Sequence, residues 1–401
     1  LQSGSSVLND CVESQFFADG WLRDGDFHYH ISAIEDFRSA MLFAQNNHRE
    51  DAFPAAYKES LRKMTEVVMH MIYPNYSSIN MADTRKTTWS KSVLKKNLNR
   101  YVELFPENQE LLWLATEGAE GTMPTATSKA FTDCGYYVLR SGWTKNDRMM
   151  VLTNTTQSPK EQWHLQWDNN TFELYVKGRN FFPDSGSFSY DTGSNRSRYA
   201  ATSAHNTLSL NDGNMTSCRG EMLRLDYHKN SQSERLVLVN PSYNGLMHRR
   251  QIFQVEKMFY VIVDEAYGTA AGTLNLNFHP GESEENVVLD SEAMGMHTTF
   301  SDGNNLIVRT FTDGAPMTFV EKEGFYSDTI NKEVKRKAYS LNVEKSADAP
   351  VRFVTVLYPA SDATAPQISA SFTGNWSLER MGVDVTIDGK TWNLINSNLT
   401  K

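Results

Sequence analysis

From residue 31 to about residue 116 the apolar positions recur at helical spacing. Ile31, Ile34, Phe37, Met41 and Leu42 fall near one face of a segment running to Asn46. Pro54 reads as the first-turn proline of a second helix, which carries Tyr57, Leu61, Met64, Val68 and Met71. Ser90 reads as the cap of a third, with Val93, Leu94, Leu98, Val102 and Phe105 along it and Pro106 as its stop. A short fourth helix, Asn108 to Thr116, ends at Gly118, and the glycine, threonine and proline from Gly118 to Thr127 read as a linker.

Beyond Ser128 the period changes to two. Tyr136 to Arg140, Met149 to Thr153, Phe172 to Lys177, Thr207 to Leu210, Leu236 to Val239, Phe259 to Val263, Leu274 to Phe278 and Val383 to Ile387 read as short strands. Turn signals such as Asp212-Gly213 and Asp302-Gly303-Asn304 separate them. Many short strands without alternating helices predict an antiparallel sandwich, so the class is α+β: a helical part over 1–127, then an antiparallel β-sandwich over 128–401. The first thirty residues are rich in glycine, aspartate and aromatics, and only three or four helices follow. Such a thin helical layer would leave apolar faces uncovered, so more helices are expected before residue 1, in a longer protein.

Composition adds boundaries. With 401 residues, 40% apolar, the chain has material for more than one core. A net charge of −9 gives no overall attraction for polyanions, which argues against a nucleic-acid partner and requires any anionic ligand to meet a local basic cleft. No run of about twenty apolar residues predicts a membrane span, and the opening L-Q-S-G-S-S lacks the basic and apolar regions of a signal peptide. Cys11, Cys134 and Cys218 are too far apart for a zinc pattern or a disulfide framework, so buried free thiols are expected.

Candidate chemistry concentrates in W-H-L-Q-W-D-N-N-T-F-E-L-Y-V-K-G-R-N-F-F-P-D-S-G-S-F-S-Y, residues 163–190. If Trp163 to Asp168 is a strand, His164, Gln166 and Asp168 share one face. Gly178 reads as a turn, Pro183-Asp184-Ser185-Gly186 as a second, and Ser203-Ala204-His205-Asn206-Thr207 brings another histidine to the start of a strand. His164 can act as a general base or a ligand, or simply hydrogen-bond within the sheet. Gln166, Asp184 and His205 offer hard oxygens and one imidazole, a set able to hold a divalent cation or to form a buried polar network. Arg196 and Arg198 can fork onto carboxylate or sulfate, or lie in a solvated loop. The aromatics Trp143, Trp163, Trp167, Tyr175, Tyr190 and Tyr199 can stack on sugars or fill a core. In Asp24-Gly25-Asp26-Phe27-His28-Tyr29-His30, leading into the first clear helix, Tyr29 can serve as a general acid or pack with its hydroxyl bonded locally. No phosphate loop, nucleophile elbow or dinucleotide fingerprint is present.

The long 163–186 stretch resembles the start of the β-domain of the heparinase II/III family, and most closely its heparinase III branch, polysaccharide lyase family 12. Asp19-Gly20, His28-Tyr29-His30, Ser32-Ala33-Ile34, Leu139-Arg140-Ser141-Gly142-Trp143, residues 203–207 and Asp302-Gly303-Asn304-Asn305-Leu306 extend the resemblance over roughly 19–310. It implies an incomplete (α/α) toroid followed by a C-terminal antiparallel β-sandwich, with the site in the cleft between them. It implies β-elimination at a uronic acid of heparin or heparan sulfate, with other uronate polymers, or a non-catalytic carbohydrate-binding protein, as alternatives. By the resemblance Tyr29 and His164 are catalytic; His30, Trp167, Arg196 and Arg198 are expected, from their chemistry, to touch a glycosaminoglycan. Gln166, Asp184 and His205 are then expected to hold a structural divalent metal, zinc or calcium. The branch's asparagine, which neutralises the uronate carboxylate, is expected upstream of this chain, and the location is expected to be periplasmic or secreted. The segment Trp21 to Asp26 departs from the branch's pattern, leaving sulfation preference and endolytic or exolytic cleavage open.

Overall fold

A computed structural model describes residues 2–191, 193–226, 233–361 and 366–399. Its helical part holds α1 (Gln2–Gln15), α2 (Phe27–Asn46), α3 (Ala55–Met71), α4 (Lys91–Leu104) and α5 (Gln109–Ala115). Helix α1 was not expected, because Gly4, Ser5 and Ser6 dilute its pattern. Yet Leu8, Cys11 and Val12 sit three and four apart and, with Phe16, pack on the helical core. Helix α2 starts at Phe27, four residues before the Ile31 start read from the period, because Asp26 caps it, its carboxylate accepting from the Tyr29 N–H at 3.0 Å. Asn108 caps α5 in the same way, accepting from Leu111 N. Pro54 and Ser90 stand at the cap positions of α3 and α4 without a side-chain cap bond.

The strands begin at Ser128. β1 (Ser128–Phe131), β2 (Tyr136–Arg140), β3 (Arg148–Thr153), β4 (Phe172–Val176) and β5 (Arg179–Asn180) form an antiparallel meander. Lys177 and Gly178, both at positive φ, turn β4 into β5. This sheet is buried on both faces, which explains its unbroken apolar runs. Tyr136, Val138, Met149, Val151 and Tyr175 join the helical core. Their neighbours Tyr137, Leu139, Met150, Leu152 and Leu174 point the other way, into a second core shared with larger sheets. One of these has eight strands, in the order 287–290, 295–298, 305–312, 351–360, 259–267, 246–255, 233–243 and 221–226. The other has four: 318–329, 332–345, 272–278 and 208–210. A third core, including Val261, Val263, Val354 and Val356, lies under a three-stranded sheet of residues 368–372, 380–387 and 390–397. That outer layer goes beyond the simple two-sheet sandwich expected from the period.

Arg140 joins the helical part to the first sheet. Its buried guanidinium donates to the carbonyls of His70 and Ile72, at 2.8 and 2.6 Å, where α3 runs out of intrahelical donors. Burial pulls its pKa down to about 9.

Two local expectations fail. Residues 163–168 do not form a strand; they lie in turns and irregular chain, tied by Leu165 N to Gln162 O and Trp167 N to Ala200 O. Residues 183–186 run as an irregular segment rather than a tight turn. There Gly186 pairs with Ser327, and a Cβ would stand 2.0 Å from the Ser327 carbonyl oxygen. All three cysteines are free, two of them buried. No described helix is long and apolar enough to cross a membrane.

Candidate active site

The site forms where the loop before α2 meets the loop between β3 and β4. Gly25 makes the approach possible: at φ +76 it lies so close to Leu165 that a Cβ would stand 2.5 Å from Cδ2. The Tyr136 hydroxyl holds the Gly25 carbonyl at 2.9 Å from below. With the loops pressed together, Asp24 Oδ1 lies 2.6 Å from His164 Nδ1. A carboxylate there selects the Nδ1–H tautomer and leaves the Nε2 lone pair for other work. Burial opposes a charge on His164. Asp24, with further help from Asp83 and Asp26, outweighs it and raises the imidazole pKa.

Tyr29, on the first turn of α2, lies beside this histidine with ring centroids 4.3 Å apart. Its hydroxyl donates to that of Tyr190 at 3.2 Å. Tyr190 also meets the edge of His164 and the ring of Trp163, at 5.9 and 5.4 Å. On the other side His28 meets Tyr29 at 5.2 Å, and its Nδ1 accepts from Trp89 Nε1. Burial and the Arg85 charge lower the His28 pKa to about 4, so that ring is neutral at physiological pH. Beneath Tyr29, buried Asp26 caps the helix and accepts from Thr84; burial and the nearby Asp83 push its pKa up to about 7.

Tyr29 and His164 are thus brought together; the expected substrate contacts are not. His30 is fully buried, its Nδ1 accepting from Leu22 N and its Nε2 3.0 Å from Met64 O, and burial lowers its pKa to about 4. It is a core histidine and cannot touch a polymer. Trp167 packs against the second core instead of joining the cluster. The indole at the cluster is Trp163, 49% exposed and 5.3 Å from His164. Arg196 and Arg198, in helix α6 (Ser194–Tyr199), are both engaged. Arg196 pairs with buried Asp83, donates to the Trp163 carbonyl at 2.8 Å and backs its indole at 4.7 Å. Arg198 pairs with Glu323 and Glu333 and lies on Phe325, outside the cluster. Neither offers a free fork.

The expected metal donors Gln166, Asp184 and His205 are all buried. Asp184 Oδ2 lies 2.8 Å from His205 Nδ1, leaving His205 Nε2 without a partner. Gln166 donates through Nε2 to Ala82 O, Asp83 and Gly186 O, leaving Oε1 without a partner. An orphaned amide oxygen and an orphaned imidazole nitrogen beside a carboxylate fit a divalent cation. Among the described residues no three of His, Cys, Asp and Glu form a metal-holding group, so such an ion would depend on the Gln166 amide.

Arg85 and Asp83 carry no motif that marks them, Asp24 only opens the Asp24–His30 stretch, and the contacts of all three come only from the closing of the fold. Tyr190 and Trp163 stood out only as aromatics. A cavity of about 470 Å³ lies elsewhere, lined by residues that include Asn75, Lys177, Arg179 and Phe300. It contains none of the Tyr29–His164 cluster, so the chemistry and not the void locates the site.

A helical layer set on an antiparallel β-sandwich, with a phenol and a carboxylate-held imidazole at their junction, defines a two-part α+β protein. Residues 1–113 match the model of the heparinase II/III N-terminus, and 123–371 that of the heparinase II/III-like C-terminal region. The chain belongs to the heparinase II/III family. A heparin-sulfate lyase of Bacteroides thetaiotaomicron is 38% identical over 98% of this chain and 59% of its own length. One from Pedobacter heparinus is 33% identical over 97% and 59%. A crystal structure of heparinase III matches with a TM-score of 0.94 at 36% identity, covering 99% of this chain and 63% of that one. That of heparan sulfate lyase HepC from Pedobacter heparinus gives 0.93 at 31%, covering 100% and 62%. The chain spans about three fifths of the length of these relatives.

Proposed function

We propose that the protein is a polysaccharide lyase that cleaves heparin or heparan sulfate at the hexosamine–uronic acid linkage by β-elimination. The observation that carries this reading is the Tyr29–His164 contact at 4.3 Å, with Asp24 fixing the imidazole. The C5 proton of a uronate is weakly acidic, because its removal adds charge beside a carboxylate. The reaction therefore needs a base at C5 and an acid at the leaving O4. The base takes the C5 proton and the C–H electron pair forms the C4–C5 double bond. The C4–O4 bond breaks as that double bond forms, its electron pair leaves with O4, and O4 accepts a proton. Tyr29 protonates O4, and can also take the C5 proton where both events share one face of the sugar. His164, through Nε2, is the base for the other C5 epimer or assists the tyrosine. Exposed Trp163 beside them offers a sugar-stacking face.

Gln166, Asp184 and His205 hold a structural zinc or calcium ion in this reading, with their two orphaned atoms as its support. When bound, such an ion fixes the chain that carries His164 and takes no part in proton transfer. A polymer of this size is met outside the cytoplasm, which favours a periplasmic or secreted location.

The test follows the ultraviolet absorbance of a 4,5-unsaturated uronate as full-length protein is mixed with heparin, heparan sulfate, chondroitin sulfate and alginate in turn. A rise with heparin or heparan sulfate is expected. A rise only with another polymer overturns the substrate, and no rise with any overturns the reaction.

A further inference from the structure

Two arginines lie against the rings of the site, and they differ in one respect. Arg196 is engaged by Asp83 and the Trp163 carbonyl. Arg85 lies over the Tyr190 ring, 4.7 Å from its centroid, with no side-chain hydrogen bond or ion pair to any described residue, and its buried Nε has no partner. A half-buried guanidinium is rarely left this way, because removal from water is normally offset by an acceptor. Its neighbours are those of the reaction centre: Tyr190 takes the hydrogen bond from Tyr29, and the Arg85 charge lowers the pKa of His28, whose ring meets Tyr29 from the other side.

The backbone that presents Arg85 is anchored on both sides. Thr84 donates to Asp26, Lys86 pairs with Glu282, Thr87 Oγ1 donates to Asp328 O at 2.7 Å, and Trp89 donates to His28. The tight turn closes on Arg85 itself, whose carbonyl accepts from Thr88 N. The backbone beneath Arg85 is therefore fixed before any ligand arrives, and the guanidinium rests on the Tyr190 ring, which lowers the ordering cost of binding.

We infer that Arg85 is the anion receptor of the site, forking onto a carboxylate or sulfate of the sugar bound against Tyr29 and Tyr190. An acid-rich chain with net charge −9 attracts such a polymer only through local cations. Planar, two-oxygen recognition is what an unengaged guanidinium provides and an ammonium does not. Carboxylate and sulfate share this chemistry, and the experiment separates them.

The inference rests on the lyase reading, so binding and turnover are measured separately. Full-length wild type, Arg85→Ala and Arg85→Lys are titrated calorimetrically with an N-sulfated and an unsulfated uronate oligosaccharide, and kcat and KM are measured on both polymers. Arg85→Ala is expected to weaken binding or raise KM about ten-fold or more, with Arg85→Lys recovering only part, since a point charge replaces a fork. A loss confined to the sulfated ligand assigns sulfate; an equal loss on both, with a fall in kcat, assigns the carboxylate. Wild-type affinity and kinetics in a folded Arg85→Ala, or full recovery in Arg85→Lys, overturn the inference. Wild type that binds the oligosaccharides without eliminating them overturns the lyase reading, while the comparison of affinities still decides Arg85.

Discussion

His164 Nδ1 lies 2.6 Å from Asp24 Oδ1, across 140 residues of chain and across the junction between the helical part and the sheets. One ring nitrogen is thereby fixed as the donor to Asp24, which leaves the lone pair of the neutral ring on the other. The two loops meet closely because Gly25 has no Cβ to collide with the Leu165 side chain.

The Asp24 contact sets a pH dependence. Asp24 raises the His164 pKa, so the neutral base accumulates only at higher pH. Asp24→Asn is expected to shift the acid limb of the kcat/KM profile to lower pH and to lower kcat by roughly ten- to hundred-fold through loss of ring orientation. An acid limb at the wild-type position would show that Asp24 does not tune the base.

Tyr29→Phe keeps the ring against His164 and removes the hydroxyl alone. Activity is expected to fall by about 10²- to 10⁴-fold, the range for a lost general acid, with stability changed by no more than about 1 kcal/mol. Progress curves and urea unfolding check both halves. Substantial turnover by the folded variant would remove Tyr29 from the reaction.

His30 makes the opposite prediction. It is buried and bonded at both nitrogens, so His30→Ala should cost about 2–4 kcal/mol of stability and leave KM for the polymer unchanged in the folded fraction. Its folded pKa of about 4 lies below the ordinary 6.5, so the unfolded chain binds the extra proton between those values. Stability from this group is complete above pH 6.5 and is lost as the pH falls toward 4. Urea unfolding at a series of pH values should show that slope diminished in the variant.

Asp26 runs the other way. Its pKa is raised to about 7, so the folded state holds the proton between about pH 4 and 7 and stability falls as pH rises through that window. Asp26→Asn, which keeps a capping side chain, is expected to flatten this loss. A variant whose stability still falls over the same window would place the cause elsewhere.

For the proposed ion, metal analysis after dialysis should find about one zinc or calcium per chain. Chelation, or Gln166→Ala, should remove it and lower the unfolding midpoint. A metal-free protein whose midpoint does not respond to a chelator would leave Gln166, Asp184 and His205 as a hydrogen-bonded network.

Much of the architecture could be read along the chain because it depends on period. The change from 3.6 to 2 falls after Gly118, Asn108 caps its helix, and Lys177-Gly178 turns its hairpin; each is a short-range effect of side-chain direction or backbone sterics. The position of His30 was also open to that reading. It lies three residues after Phe27 and four before Ile34, both buried, and so falls on the apolar stripe of α2.

What only the tertiary structure decided lies in irregular chain. Asp24, Arg85, Trp163, His164 and Tyr190 sit in segments without a repeating pattern, where neighbouring residues do not dictate direction. Their side chains are aimed by packing and hydrogen bonds between loops far apart in sequence, such as Gly25 against Leu165 and Tyr29 against Tyr190, 161 residues away. The sequence by itself determined the two-part α+β plan and the residue types able to move protons, because periodicity and chemistry are local properties. The pairing of Asp24 with His164, the place of Trp163 rather than Trp167 beside them, and the engagement of Arg198 but not of Arg85 follow from the closing of the chain, because only then is it settled which charges find partners.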